Sequence, residues 1–508
     1  MISPIVLTPL LLFLLLITGP LLALFAFIRH CPLSPAVVLA AAVLHVFWAL
    51  GLWWQLATAG TYEWILFTDL GIPGISVRLD GLALLFILLT ALVSGLSATQ
   101  ALLYFSDQPA LQSRLWGRFW MLVPGLNLVW VAGDLITLYF AMEVVALCVA
   151  GLIVLSDEGE SFRSALRYVQ AVLLGTLAFL LGVVLLYAVY GSVSLQVLGE
   201  EIAWSPLTGL AFGLITAGLV YRAALFPLHS WLPPAHGSSY APLSALLSAL
   251  VTKASFYSLA RLWLDWGPQA GSYAAAQLLG AMGAMAILWG GWMACRQTNL
   301  KMLVAYSSVN QVGYFFLLFP LLIGVSAEVA TLARDGAMLQ VLSHALAKAA
   351  LFMAAGNLVA AIGSKKITDL NGVNHLLPLS LLSFGLAGVS IMGLPPSGGF
   401  LAKWYLLQSS LISGQWWWVP VLLLGGLLSA AYVFRVYRQF FAEEGLAKKD
   451  DISQHSVGRD NADHSHSVPW LLEIAPMILA LMAVGLGLLA STPLGIMTFG
   501  GEVPHGTE

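Results

Sequence analysis

Five ionisable residues stand inside long apolar runs: Glu143, Arg222, Lys253, Lys348 and Lys403. A charge at the bilayer centre costs at least about 2.5–3.5 kcal/mol on insertion scales, so such residues should face one another or water and mark an ion or proton path. The competing expectation is a set of purely structural ion pairs. An amine withdrawn from water gives up its proton more readily than one in bulk. Lys253, Lys348 and Lys403 are therefore candidates to take up and release protons near neutral pH. Glu143 is the natural partner for Arg222, and opening or closing that pair would alter the protonation of a neighbouring lysine.

His344 and Lys348 are spaced i, i+4 and share one helix face, with Gln340 one turn earlier. The stripe Gln340–His344–Lys348 reads as a polar wire, although His344 alone would equally be a hydrogen-bonded core histidine. His229 and His236 flank the proline-rich stretch Pro227–Pro234, where freed backbone groups suit either a water-holding gate or simple capping. Ser307, with Ser308, Asn310 and Gln311, adds polarity to one span, though serine is common at packing faces. His45 is isolated and reads as structural. Asp134 and Glu473 lie near the ends of apolar runs, where snorkelling to the interface is expected.

No catalytic residue, redox cofactor or metal site is legible. Cys31, Cys148 and Cys295 lack the paired spacing of zinc or iron–sulfur ligands. Gly485 and Gly487 lie inside an apolar span without a preceding strand, so they are not a nucleotide fingerprint. His455, His464 and His466 could bind a metal, but a solvated loop accounts for them as well. A net charge of −3 argues against a nucleic-acid partner.

Positioning these residues requires membrane helices. Of 508 residues, 60% are hydrophobic and 9% charged, against about 25% charged in soluble domains. Apolar runs long enough to cross a bilayer recur along the chain. The class is all-α and polytopic, with helices expected near 3–27, 34–57, 80–105, 116–132, 133–155, 164–191, 207–236, 240–264, 274–295, 302–325, 330–362, 376–412, 416–438 and 468–491, about fourteen in all. The first run has neither a preceding charged region nor a following cleavage site and reads as a retained helix. Glu443 to Val468 reads as a polar loop, and Trp416-Trp417-Trp418 as part of an interfacial belt.

Helices 7 and 12 are expected to be broken, at Pro227–Pro234 and at Gly393–Phe400. Matching interruptions five helices apart point to an inverted repeat with transport at the breaks. The expected units are 1–110 (helices 1–3), 111–268 (helices 4–8), 269–441 (helices 9–13) and 442–508 (polar loop, helix 14 and tail). Of 21 lysines and arginines, fourteen lie in or beside loops that follow odd-numbered helices; Arg78, Arg261 and Arg334 lie on the other side. The positive-inside rule then places both termini outside the cytoplasm, in a membrane expected to be the bacterial inner one.

The segment Arg222-Ala-Ala-Leu-Phe-Pro-Leu-His-Ser-Trp-Leu-Pro-Pro-Ala-His236, with Pro242-Leu-Ser-Ala-Leu-Leu-Ser-Ala-Leu-Val-Thr-Lys253, resembles the signature of antiporter-like subunits. These are subunits L, M and N of complex I and the large subunits of Mrp cation/proton antiporters. Ala305–Tyr314, His344–Phe352 and Gly393–Lys403 are similar to further motifs of that family, in the same order. The resemblance implies fourteen helices with two inverted five-helix repeats. It matches Glu143, Lys253, the pair His344–Lys348 and Lys403 to the family's hydrated axis along the membrane midplane. The type is nearest the D-type Mrp protein or complex I subunits M and N, since the chain ends soon after helix 14 without subunit L's lateral helix.

Two departures stand out. Arg222 occupies a position that is usually lysine in the family, and arginine is always protonated; it can pair with Glu143 and gate, but should not relay protons. Asn299-Leu-Lys301-Met302 lacks the usual flanking charges.

The function expected is proton translocation as one subunit of a multisubunit Mrp-type antiporter, with other membrane subunits as partners and sodium or potassium as candidate exchanged cations. The alternatives are a proton-channel subunit of a redox complex (complex I or a membrane hydrogenase), the membrane partner of a zinc enzyme-like inorganic-carbon system, and a non-transporting structural subunit. Any enzymatic role would be as a subunit of a proton-translocating oxidoreductase.

Overall fold

The computed structural model describes residues 4–29, 33–66, 75–156, 159–371, 373–442 and 469–499. The expected polar loop at 443–468, its three histidines, and Cys31 lie outside the described residues.

Helix starts follow local chemistry. Ser34 accepts a hydrogen bond from the Val37 amide, with proline at the first position of α2 (Pro35–Ala59), which follows α1 (Pro4–Arg29). Asp80 caps α3 (Gly81–Tyr104) in the same way. α4 (Pro109–Val131) begins earlier than the expected residue 116, so Arg114 as well as Arg118 lies within the helix. α5 (Leu135–Ile153), α6 (Gly159–Tyr190) and a short α7 (Leu195–Glu201) follow.

The two expected breaks are present. α8 (Pro206–Arg222), started by Ser205, ends at Arg222; irregular backbone with Ala224 at φ +57° leads to α9 (Leu232–Ser238). The next span joins α10 (Ala241–Leu246), a π turn at Leu247–Val251 and α11 (Thr252–Ala270). α12 (Tyr273–Arg296), α13 (Leu300–Phe316) and the long α14 (Ala327–Ile362) are continuous. The second break separates α15 (Pro378–Met392) from α16 (Gly398–Ile412), and α17 (Trp418–Phe440), α18 (Leu471–Gly485) and α19 (Ser491–Met497) complete the described chain.

Ten helices among the described residues are long and apolar enough to span a membrane. The all-α expectation missed one antiparallel hairpin, β1 (Tyr62–Leu66) with β2 (Ile75–Leu79), in register Tyr62↔Leu79. Its alternation is short, and it sits between apolar runs that dominate the local signal.

The span α10–α11 is wholly enclosed, whereas α1, α2, α6 and α17 turn apolar flanks outward. α14 lies at the centre, packed against α3, α10, α13, α15, α16 and α18. Helices buried all round belong at the middle of a bundle, and the intramembrane lysines of α11 and α14 are carried there.

The expectation of snorkelling for Asp134 and Glu473 is corrected: both are buried. Asp134 caps α5 through the Thr137 amide at 2.6 Å and also holds the Ser76 amide at 2.8 Å. Glu473 accepts from the Ser380 amide at 2.6 Å, capping α15 from a different helix. An anion at a helix N-terminus meets unpaired amides and the positive end of the dipole, so short side chains stay inside.

Candidate functional site

The first cluster forms where α5, α6 and the end of α8 meet. Arg222 donates through Nη1 to Glu143 Oε1 at 2.8 Å and to Thr176 Oγ1 at 2.5 Å, and through Nη2 to the Met142 carbonyl at 2.8 Å. Thr176 also donates to Glu143 Oε1 at 2.7 Å. Close approach of α6 to α8 makes this possible. A Cβ at Gly175 would lie 2.8 Å from the Gly218 carbonyl oxygen and 2.9 Å from Arg222 Cγ. The expected Glu143–Arg222 pair is therefore real, and the threonine that completes it was not singled out from sequence. Its one signal is polarity beside a glycine in an apolar run.

Lys253, fully buried, follows the π turn and donates to the Ser248 carbonyl five residues back, with Thr252 Oγ1 at 3.4 Å. π turns free a backbone acceptor that a regular helix would use. Ser248 Oγ lies 3.2 Å from Ser308 Oγ, which donates to the Val304 carbonyl at 3.3 Å. That carbonyl also receives Lys348 Nζ at 2.6 Å, and Lys348 donates further to Ser307 Oγ. Polar contacts thus link Lys253 to Lys348 across α13, by way of the carbonyl and the separate hydroxyl of Ser248. Among the described residues no carboxylate forms an ion pair with Lys253, Lys348 or Lys403.

The Gln340–His344–Lys348 stripe is buried along α14, but its hydrogen bonds run sideways rather than along it. Gln340 donates to Gln311 Oε1 at 2.7 Å, and Gln311 donates to Asn310 Oδ1 at 2.7 Å, Ser429 Oγ at 3.2 Å and the Ile391 carbonyl at 3.2 Å. Lys403 reaches that same Ile391 carbonyl at 2.8 Å and the Met392 carbonyl at 3.1 Å, with its Nζ 4.5 Å from the centre of the Tyr314 ring. Both carbonyls are freed by the break after α15. Gly393, at φ +80°, leaves room: a Cβ there would lie 2.7 Å from Lys403 Cδ. Gln311, a minor candidate from sequence, is thus the junction between α13, α14, α17 and the break.

His344 packs against Phe315 at 5.3 Å, and Lys253 Nζ lies 5.8 Å from the centre of that same ring. His236 lies fully buried in α9, stacked on Phe352 at 4.8 Å, with Lys348 Nζ 5.9 Å from the Phe352 centre. No ring nitrogen of His236 or His344 has a hydrogen-bond partner among the described residues. His229 stays at the edge of the break, half-buried and stacked on Phe226 at 5.4 Å. His45 stacks on Trp120 and bonds the Ala41 carbonyl at 2.9 Å, away from the axis.

Arg261 and Lys301, placed in or beside loops by sequence, are instead buried. Arg261 pairs with Asp80 at 2.5 Å, and with Arg78, Asp265 and Arg334 they line a cavity of about 460 Å³. Lys301 donates to the Ser239 carbonyl, while Asn299 caps α13.

Two broken helices, the first ending at Arg222 in its pair with Glu143 and the second carrying Lys403, with buried Lys253 and Lys348 on helices between them, are the features of an antiporter-like membrane subunit. Residues 132–429 match the family model described as NADH:quinone oxidoreductase/Mrp antiporter, transmembrane. The chain is 36% identical over 423 residues to NADH-quinone oxidoreductase subunit N of Desulforudis audaxviator, covering 82% of each. It is 28% identical over 379 residues to the D-type protein of the Na(+)/H(+) antiporter of Bacillus subtilis, covering 73% and 74%. Its fold superposes on a chain of the Mrp complex from Dietzia sp. with TM-score 0.81 at 22% identity, covering 98% and 96%. The chain belongs to the NADH:quinone oxidoreductase/Mrp antiporter transmembrane family.

Proposed function

We propose that this chain carries protons along a buried axis from the Glu143–Arg222 pair through Lys253 and Lys348 to Lys403. The observation that carries this reading is the contact path joining Lys253, Ser248, Ser308, Val304 and Lys348, whose amines meet only carbonyls and hydroxyls. Such an amine keeps its hydrogen bonds on losing a proton only if its neighbours include groups that can donate, and serine hydroxyls can do both. The unpartnered nitrogens of His236 and His344 supply further stations, since buried polar groups without protein partners are met by ordered water. His229, Gln340 and Ser307 are secondary members.

The chain acts within a multisubunit membrane assembly, as an Mrp-type cation/proton antiporter subunit exchanging sodium or potassium. The redox-linked reading has its own support in the 36% identity to a quinone oxidoreductase subunit. Both readings use the same axis. We further assign fourteen spans, with repeats 111–268 and 269–441 related by inversion, and both termini outside the cytoplasm of a bacterial inner membrane. The two breaks and the basic-residue bias support that arrangement.

The test is proton flux in vesicles carrying the complete assembly, comparing wild type with Lys253→Ala. Loss of flux with assembly intact supports the axis. Unchanged flux in a fully assembled variant removes the transport reading in favour of a structural subunit.

A further inference from the structure

The cavity of about 460 Å³ opens at the end of the bundle that carries Arg78, Arg261 and Arg334, which the orientation proposed above places outside the cytoplasm. Its lining sets those three arginines against Asp80 and Asp265, a surface suited to water. α11 runs from this cavity to the lysine axis. Arg261, Tyr257 and Lys253 follow one another along it at four-residue spacing, each step about 6 Å of rise. About two turns of helix thus separate the cavity from the central amine.

Two layers fill that interval. The outer layer is a guanidinium. Arg261 donates through Nη1 to Asp80 Oδ1 at 3.2 Å and through Nη2 to Asp80 Oδ2 at 2.5 Å. Asp80 is fixed in turn by the Ala83 amide at 3.0 Å and lies 3.4 Å from Arg78, so two guanidiniums share one carboxylate. Arg261 Nη1 also donates to the Tyr257 hydroxyl at 2.9 Å, and that hydroxyl donates to the Trp130 carbonyl at 2.5 Å. The inner layer is aromatic. The rings of Tyr257, Phe86 and Trp130 lie 4.8–5.0 Å apart in each pairing, and all three residues are buried.

A proton relay needs at each step a group that can accept a proton and pass it on. Arg261 is permanently charged and accepts none, and a fixed cation repels an approaching proton. The Tyr257 proton is committed to a backbone acceptor. We propose that Arg261 is a proton barrier: its charge, clamped by Asp80 above the Tyr257–Phe86–Trp130 rings, keeps protons of the outer cavity from reaching Lys253. The inference rests on the lysine axis proposed above and adds a requirement to it, since a central amine with a second opening would let protons bypass the exchange.

The test is the collapse of an imposed pH gradient across vesicles carrying the complete assembly, followed with a pH-sensitive dye in the absence of any driving reaction. Asp80→Asn/Arg261→Gln removes both charges together, so neither is stranded, and should speed collapse at least threefold over wild type. Arg261→Lys keeps the cation and should stay within twofold, as should Arg334→Gln, which removes a cavity charge outside the clamp. Adding Lys253→Ala to the double variant should return collapse to the wild-type rate. A wild-type rate in the assembled double variant, an equally fast one in Arg261→Lys, or a fast one that persists without Lys253 overturns the barrier. Tyr257→Phe, which keeps the ring and both Asp80 bonds, serves even where the double variant does not assemble. It should leave flux within twofold, and a loss of threefold or more would make the hydroxyl a relay and overturn the proposal. Flux in Lys253→Ala alone tests the axis separately, so a failed barrier with that flux lost leaves the axis standing.

Discussion

The two broken helices hold their cations in opposite ways. In the first, Arg222 is tied to a carboxylate, a hydroxyl and a carbonyl, with Thr176 closing the triangle back to Glu143. In the second, Lys403 rests on two freed carbonyls and the face of Tyr314, and no described carboxylate pairs with it. A guanidinium keeps its charge whatever its surroundings, while an ammonium in such a setting can lose it. The halves therefore need not do the same work. On the reading proposed above, the first break contributes a fixed charge pair and the second an amine able to change its charge.

The largest expected effect is on flux. Lys348→Met should cut proton flux at least tenfold with the assembly intact, whereas Arg222→Lys, which gives the first half a cation able to release its proton, should leave flux within twofold or raise it. A tenfold loss in Arg222→Lys would mean that the permanent charge is itself required.

Stability should separate the halves next. Arg222→Met strands Glu143 and should cost about 3 kcal/mol, the scale for breaking a buried pair, with Glu143→Gln restoring much of it. Lys403→Met should cost less than about 1 kcal/mol, since it strands no opposite charge. Unfolding of the purified protein by graded denaturing detergent measures both, and equal costs would erase the distinction.

Two glycines give a smaller contrast. At Gly393 a Cβ meets the flexible Lys403 stem and an unfavourable φ, so Gly393→Ala should lower flux about threefold while costing about 1 kcal/mol. At Gly175 it meets the rigid Gly218 carbonyl, so Gly175→Ala should act mainly on stability through helix spacing. Similar flux-to-stability ratios in the two variants would count against the different roles given to the two clusters.

Much of this site is legible in the sequence, because a charge inside an apolar run is conspicuous on its own. Glu143, Arg222, Lys253, Lys348 and Lys403 all stand out that way, and prolines announce both breaks, joined by glycines at the second. What stays hidden are partners that carry no such signal. The Met142 and Val304 carbonyls are backbone atoms, and Thr176 is one of many small polar residues in helices. The Asp80–Arg261 pair joins residues 181 positions apart in the chain, so nothing in either local sequence announces it. Gln340, His344 and Lys348 share a face as their spacing requires, yet tertiary packing turns Gln340 towards Gln311 instead of His344.

The π turn at Leu247–Val251 has a consequence for which variants of this helix are viable. A helix that accepts one additional residue without unwinding becomes a π turn at that point. Deleting one residue of the turn should therefore return the span to a regular helix while Lys253 keeps its face towards α13 and Arg261 its reach to Asp80, because the wide turn is what absorbs the extra residue. What such a deletion removes is the freed Ser248 carbonyl on which the Lys253 amine rests.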